Sequence, residues 1–176
     1  MRGEPPVERR FWRFWLAGLL LLAVQIVMNV WLMTDISPLG ISDHQAAASA
    51  ARVDAIQSGW MAAGVMKLAI ASIALDLLYI GVYSWGAFAG GRMFAASKMP
   101  ALSRLGKITM IATLGYCLAD YAETICQFVQ AAATGGNDDL AWVAATARPI
   151  KSVLFLVTFF AILLALAVRR RTRRMA

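Results

Sequence analysis

Apolar residues in this chain are gathered into four long runs separated by short polar stretches. A helix needs about 20 mainly apolar residues to cross a bilayer, because each residue adds about 1.5 Å along the helix axis. The segments that meet this requirement are 12–34, 61–89, 107–132 and 149–168. The pattern predicts an all-α fold, a membrane four-helix bundle, that forms a single transmembrane domain over residues 1–176.

Two of the connections between these spans carry helix signals of their own. Ser42 and Asp43 precede an Ala-rich stretch, and Asn137 precedes a shorter one over 138–147. Ser, Asp and Asn side chains accept hydrogen bonds from the free N–H groups at the start of a helix. We therefore expect a short extracytoplasmic helix between spans 1 and 2 and another between spans 3 and 4, with Pro149 opening the last span.

The composition also indicates a membrane protein. Apolar residues make up 60% of the chain and the mean hydropathy is +0.64, whereas soluble domains contain about 45–50% apolar residues. The net charge is +7, but the basic residues cluster at the ends of the apolar runs, where they act as topology signals. We therefore expect the lipid bilayer as a partner and no nucleic acid.

Lys and Arg are distributed unequally among the ends and connections of the chain. In the connections that follow the first and third spans, the charged residues are mainly aspartates. Basic residues are instead clustered at the two termini and in the second connection. The three basic groups are Arg2, Arg9, Arg10 and Arg13; Arg92, Lys98, Arg104 and Lys107; and Arg169, Arg170, Arg171, Arg173 and Arg174. Because basic segments stay in the cytoplasm, we expect a multi-pass inner-membrane protein with both termini cytoplasmic. Trp60 and Trp142 are then expected at the outer membrane interface.

Polar residues inside the spans fall on helix faces. The third span carries five of them at alternating steps of three and four, namely Thr113, Tyr116, Asp120, Glu123 and Gln127. That spacing places them on one face of a helix. Shorter stripes occur in the other spans, formed by Gln25 and Asn29, by Ser72, Asp76, Tyr79 and Tyr83, and by Arg148, Lys151, Phe155 and Thr158.

A charge near the bilayer centre costs at least about 2.5 kcal/mol, so we expect these faces to turn inward and form one buried polar core. Its acids would repel one another unless Arg148 and Lys151 offset part of the charge or one acid stays protonated. Neutral members such as Thr113 suit helix packing, whereas Asp120 and Glu123 favour a function, because packing needs no ionisable group. The candidate functional residues are Asp76, Tyr79, Tyr83, Tyr116, Asp120, Glu123, Gln127, Arg148 and Lys151.

Other residues of the chain with reactive or metal-binding side chains are few. Cys117 and Cys126 lie nine residues apart in one span, on roughly opposite faces, so they cannot form a disulfide with each other. His44 is the single histidine, which excludes a bis-histidine haem site, and we expect it at the surface. We expect no cofactor and no metal site.

The chain resembles a group of small uncharacterised bacterial four-span inner-membrane proteins. The resemblance covers about residues 65–168 and rests on Asp76 followed by aromatic residues, on Asp120-x-x-Glu123, and on Ala147 with Lys151. Members of the group often have Asn after the glutamate, where this chain has Thr124. The group has no assigned activity, so the resemblance implies the architecture and the polar residues but no reaction.

Three functions remain open at this point. The first is a buried acidic pocket that binds or moves a small polar or amphiphilic ligand or a cation; transport would require a homo-oligomer, because four spans without an inverted repeat are few for a transporter. The second is a membrane-embedded enzyme that acts on a lipid, with a carboxylate as general acid or base. The third is a structural or assembly partner in a membrane complex.

Overall fold

The computed structural model describes the backbone of residues 6–175 and the side chains of residues 6–172. The chain forms helices α1 (Pro6–Val30), α2 (Ile41–Gln45), α3 (Ala50–Ala62), α4 (Met66–Ala95), α5 (Pro100–Ala133) and α6 (Asp138–Met175). Within residues 6–175 there is no β-strand. The prediction of an all-helical protein is therefore confirmed for this part of the chain.

Three helices in the described part of the chain are long and apolar enough to cross a membrane. They are Pro6–Val30, Met66–Ala95 and, within α6, Asp138–Thr172. Helix α5 is 34 residues long, but its polar residues, among them Asp120 and Glu123, lower its hydropathy. The coarse prediction of a helical protein with several membrane-compatible helices holds.

The first connection contains two short helices instead of the one predicted. Helix α2 follows Gly40, which makes no side-chain cap, so the predicted cap at Ser42 and Asp43 is wrong. Helix α3 is capped by Ser49, whose side chain accepts a hydrogen bond from the Arg52 N–H at 3.4 Å. The break arises because Ala48 adopts a left-handed conformation with φ of 57°, which a continuous helix cannot contain.

The segment that follows α5 does not form a separate short helix. Asn137 does cap a helix, because its Oδ1 accepts a hydrogen bond from the Leu140 N–H at 3.0 Å. That helix is α6 itself, which continues through Pro149 without interruption. Proline removes one backbone hydrogen bond inside a helix, but long apolar helices tolerate this loss where neighbouring groups compensate for it.

The described residues divide into two compact units. Unit 1 comprises those within Met1–Leu19, Gly81–Cys117 and Lys151–Ala176, and unit 2 comprises Leu20–Ile80 and Leu118–Ile150.

Unit 1 contains close helix contacts at glycines. A Cβ added to Gly86 would lie 2.7 Å from Trp15 Cα, and one added to Gly90 would lie 2.6 Å from the Phe11 ring. The two glycines are four residues apart on α4, so they form the small-xxx-small contact that lets α1 approach closely. Small side chains here are a steric requirement.

Unit 2 has an apolar core that is built from the first connection, α4 and the end of α5. Trp60 is its largest member and is fully buried. The other members are at most 8% exposed, namely Leu32, Ile56, Met66, Ala69, Ile73 and Ala131. Trp60 is thus covered by protein, whereas Trp142 is 63% exposed, and the position of both residues at the outer membrane interface stays a prediction. Trp60 is withdrawn from the surface because its indole N–H donates to the Leu32 carbonyl at 2.8 Å and packs inside this core.

Two aspartates join the connections within unit 2. The Ala50 N–H at the start of α3 donates to Asp138 Oδ1 at 2.7 Å, and the Gly136 N–H donates to Asp54 Oδ1 at 2.6 Å. An anionic side chain at the first turn of a helix satisfies a free N–H group and complements the helix dipole. The two bonds hold the segment around α3 against the start of α6.

Candidate functional site

The predicted polar face of α5 is buried along its length. Thr113, Tyr116, Asp120, Glu123 and Gln127 are each at most 2% exposed. The steps of three and four residues place them on one side of the helix, while Ile111, Leu114 and Leu118 on other sides are more than half exposed. Between Thr113 and Gln127 the helix thus carries both acids on its covered side, and these large aliphatic residues lie on its open side.

In unit 2, both acids of this face lie on adjacent turns of α5. Asp120 is 2% exposed and Glu123 is fully buried. The Gln127 side-chain amide donates to Glu123 Oε1 at 3.2 Å. Residues three and four apart on a helix are neighbours, so this hydrogen bond fixes the carboxylate along the helix surface.

A third acid of unit 2, Asp76 on α4, is joined to α5 by a side-chain hydrogen bond. The Thr124 hydroxyl donates to Asp76 Oδ2 at 3.0 Å, and Thr124 is fully buried. Nearby, the Tyr121 hydroxyl donates to the Leu77 carbonyl at 3.2 Å. These two bonds connect α4 and α5 beside Glu123, so the sequence-predicted acids of both helices belong to the same unit.

Two further predicted residues lie in unit 2. Tyr79 is 4% exposed and Arg148 is half-buried. The remaining three, Tyr83, Tyr116 and Lys151, lie in unit 1.

In unit 1 the predicted tyrosines form an aromatic cluster. The Tyr83 and Tyr116 rings meet edge to face with centroids 5.6 Å apart, and Phe155 lies within 5.8 Å of each of them. Both tyrosines are at most 2% exposed. Such edge contacts add to the stabilisation from burial alone. Lys151 is half-buried.

Sequence reasoning missed two buried polar residues in the part of α5 that belongs to unit 2. Thr124 was read only as a departure from the related group, yet its hydroxyl holds Asp76. Gln130 is 1% exposed, its amide donates to the Cys126 carbonyl at 3.1 Å, and its Oε1 accepts from the Asn137 N–H at 3.0 Å. The spacing signal was present for Gln130, because it lies three residues after Gln127 and so extends the same face.

His44 is buried in the core of unit 2. It is 2% exposed, so the prediction that it lies at the surface is wrong. Its imidazole stacks on the Trp60 indole, with centroids 5.3 Å apart and the ring planes 23° apart. Its Nε2 lies 3.2 Å from the Gln57 side-chain amide nitrogen. The fold of the connection carries His44 inward because α2 packs against α3, which bears both partners.

Burial has an electrostatic consequence for His44. It lowers the pKa of the imidazole from its usual 6.5 to about 4, because the charged form loses its hydration. The neutral ring keeps a hydrogen-bond partner in the folded protein, because its Nε2 lies 3.2 Å from the Gln57 side-chain amide nitrogen. The folded protein therefore favours neutral His44.

The free energy of unfolding should decrease as the pH decreases, and His44 should account for part of that decrease. The unfolded chain takes up a proton near pH 6.5 and the folded chain only near pH 4. The stabilisation is thus complete above pH 6.5 and is lost as the pH falls toward 4. Between pH 7.5 and pH 4.5 we expect this group to remove about 2 kcal/mol from the free energy of unfolding.

Thermal unfolding in detergent across that pH range measures the effect. His44→Phe is the matched variant, because it keeps an aromatic ring against Trp60 and cannot titrate. Carboxylates titrate in both proteins, so the difference between their pH profiles isolates the histidine. Parallel profiles for the two proteins would show that His44 is not buried in its neutral form.

No group of three or more His, Cys, Asp or Glu side chains within the described residues is arranged to hold a metal ion. Comparison of the chain with models of known families, with curated proteins and with solved structures finds no match.

Proposed function

We propose that this chain is a four-span integral protein of the bacterial inner membrane, with both termini cytoplasmic, whose buried carboxylates bind a small cation. Three membrane-compatible helices and the buried polar face of α5 support the architecture. The three basic groups of the sequence support the orientation, because basic segments remain on the cytoplasmic side.

One observation carries the proposal about the cation: two carboxylic acids, Asp120 and Glu123, are 2% and 0% exposed and lie three residues apart on one face of α5. Side chains with that spacing are about 5–6 Å apart at Cβ. Two negative charges at that separation in a region of low dielectric disfavour each other strongly. A cation shared by the two groups relieves both the repulsion and the loss of hydration.

A purely structural role accounts less well for these residues. Polar side chains between membrane helices contribute about 0.6 kcal/mol on average, and Ser, Thr or Asn suffice for that. A carboxylate at the bilayer centre costs at least about 2.5 kcal/mol. A cation bound by the carboxylates would offset that free-energy cost.

The hydrogen bonds described in unit 2 fit a cation site. The Gln127 amide donates to Glu123 and the Thr124 hydroxyl donates to Asp76. Both donors are neutral groups that orient a carboxylate oxygen. Carboxylate, hydroxyl and amide oxygens are the ligands that hard cations prefer.

Cation-dependent unfolding of the purified protein tests the proposal. A ligand that binds only the folded state stabilises it by about 1.4 kcal/mol at ten times its dissociation constant. That corresponds to a rise of about 4 °C in Tm for a chain of this size. NaCl, KCl or NH₄Cl would replace N-methyl-D-glucamine chloride at constant ionic strength. Identical Tm values in all four salts would favour a structural role.

The proposed topology is tested by cysteine labelling in intact cells. With Cys117 and Cys126 replaced by alanine, we expect Gly135→Cys to react with a membrane-impermeant maleimide and Ala101→Cys to react only after lysis. Gly135 has room for a side chain, because the nearest atom to its added Cβ is 3.9 Å away. The neighbouring Gly136 is unsuitable, because its Cβ would lie 2.7 Å from Ala50 Cα. Labelling of Ala101→Cys from outside would reverse the orientation.

A further inference from the structure

The last exposed turns of α6 in unit 1 form a shallow groove with two kinds of lining. Leu166, Ala167, Arg170 and Arg171 line an open depression of about 460 Å³. Ala167, Arg170 and Arg171 lie one, four and five residues after Leu166, so all four residues lie on one side of the helix. An apolar floor therefore lies one turn before a pair of guanidinium groups.

Three consecutive arginines in this turn have different environments. Arg169 is bound to Glu8 of α1 through two hydrogen bonds of 2.8 and 2.9 Å, in the forked geometry that neutralises a guanidinium well. Arg170 and Arg171 are exposed. Within residues 6–172 neither of them forms an ion pair with a carboxylate. The fold thus uses one arginine internally and presents the other two at the groove.

We propose that this groove binds an anionic phospholipid. Its phosphodiester contacts Arg170 and Arg171, and its acyl chains lie along Leu166 and Ala167. The apolar side continues toward the middle of α6, where Leu163 and Leu164 are 39% and 57% exposed. The inference rests on the membrane location proposed above and is independent of the cation site.

The mixed lining selects this ligand over other anions. A guanidinium donates two parallel hydrogen bonds to phosphate oxygens, which suits a phosphodiester. A free phosphate would gain nothing from the leucine and alanine, whereas a lipid uses both parts of the groove. Each basic residue near an anionic membrane surface contributes roughly a fivefold preference, so two together contribute roughly thirtyfold.

Native mass spectrometry of the full-length, delipidated protein tests the proposal. The protein in detergent is mixed with equal amounts of dioleoyl phosphatidylglycerol and dioleoyl phosphatidylcholine, and the bound lipid is counted. We expect the wild type to retain phosphatidylglycerol preferentially. The double variant Arg170→Gln with Arg171→Gln should lose most of that preference while keeping its Tm, because both side chains are exposed.

The matched control is Arg9→Gln with Arg10→Gln, which removes the same charge from two exposed residues of α1. Retention of the preference in this control supports a defined site at α6. An equal loss in both double variants would mean that only the net charge matters, and would overturn the proposal. Displacement of the lipid by millimolar inorganic phosphate would also overturn it, because it would identify a site for free anions. Neither outcome bears on the cation-dependent Tm, so the two proposals fail separately.

Discussion

Asp120→Asn is expected to leave the protein folded and to abolish its response to cations. Asparagine has nearly the same shape as aspartate and still forms hydrogen bonds, but it cannot ionise. Asp120 is 2% exposed on α5, next to Glu123 on the following turn. The amide therefore fills the same space and removes one of the two charges that a cation would bridge. Without added cation the Tm of the variant should stay close to that of the wild type.

The matched control for this variant is Asp139→Asn. Asp139 is exposed in the first turn of α6, and the substitution removes the same charge. Its cation response should equal that of the wild type. If Asp120→Asn retained the full rise in Tm with Na⁺, K⁺ and NH₄⁺, Asp120 would not bind the ion. Loss of the response in both variants would point to a general effect of net charge.

Trp60→Ala is expected to remove about 3–5 kcal/mol from the free energy of unfolding, the usual cost of deleting a fully buried aromatic side chain. Trp60 is the largest residue in the apolar core of unit 2 and is fully buried. Its indole N–H donates to the Leu32 carbonyl and to the Ser37 hydroxyl, at 2.8 and 3.1 Å. It also stacks on His44. Alanine would leave a cavity and two acceptors without their shared donor.

Two comparisons separate these contributions. Trp142→Ala makes the same substitution at a residue that is 63% exposed, and we expect a loss within about 0.5 kcal/mol. Trp60→Phe keeps a ring against His44 but loses the N–H, so it should cost about 1–3 kcal/mol. Urea or thermal unfolding in detergent measures all three variants. Equal losses for Trp60→Ala and Trp142→Ala would contradict the buried position of Trp60.

The polar face of α5 was predictable from sequence because it obeys a simple period. Steps of three and four residues define one side of any helix, and a long helix repeats the signal often enough to be read. Asp120, Glu123 and Gln127 are buried as that spacing requires. The partner of Asp76 was not predictable, because a hydrogen bond from Thr124 depends on how α4 and α5 are aligned.

The structure of the first connection could not be predicted from sequence for a related reason. Helix α2 has only five residues, too few for periodicity to show which side is covered. The burial of His44 depends on Trp60 and Gln57 of α3, which sequence spacing does not bring together. The start of α6 was misread because proline usually marks a helix boundary, whereas here tertiary packing outweighs that local preference.

Direct binding of radioactive sodium to the purified protein tests the central proposal most directly. Equilibrium dialysis in detergent at constant ionic strength gives the number of ions bound per chain, and unlabelled K⁺ and NH₄⁺ measure the selectivity. We expect saturable binding of one Na⁺ per chain. If K⁺ or NH₄⁺ is preferred, the unlabelled ion should displace the bound Na⁺. Binding should be lost in Asp120→Asn but not in Asp139→Asn. Absence of saturable binding for all three cations to folded wild-type protein would contradict the account and leave Asp120 and Glu123 with a structural role.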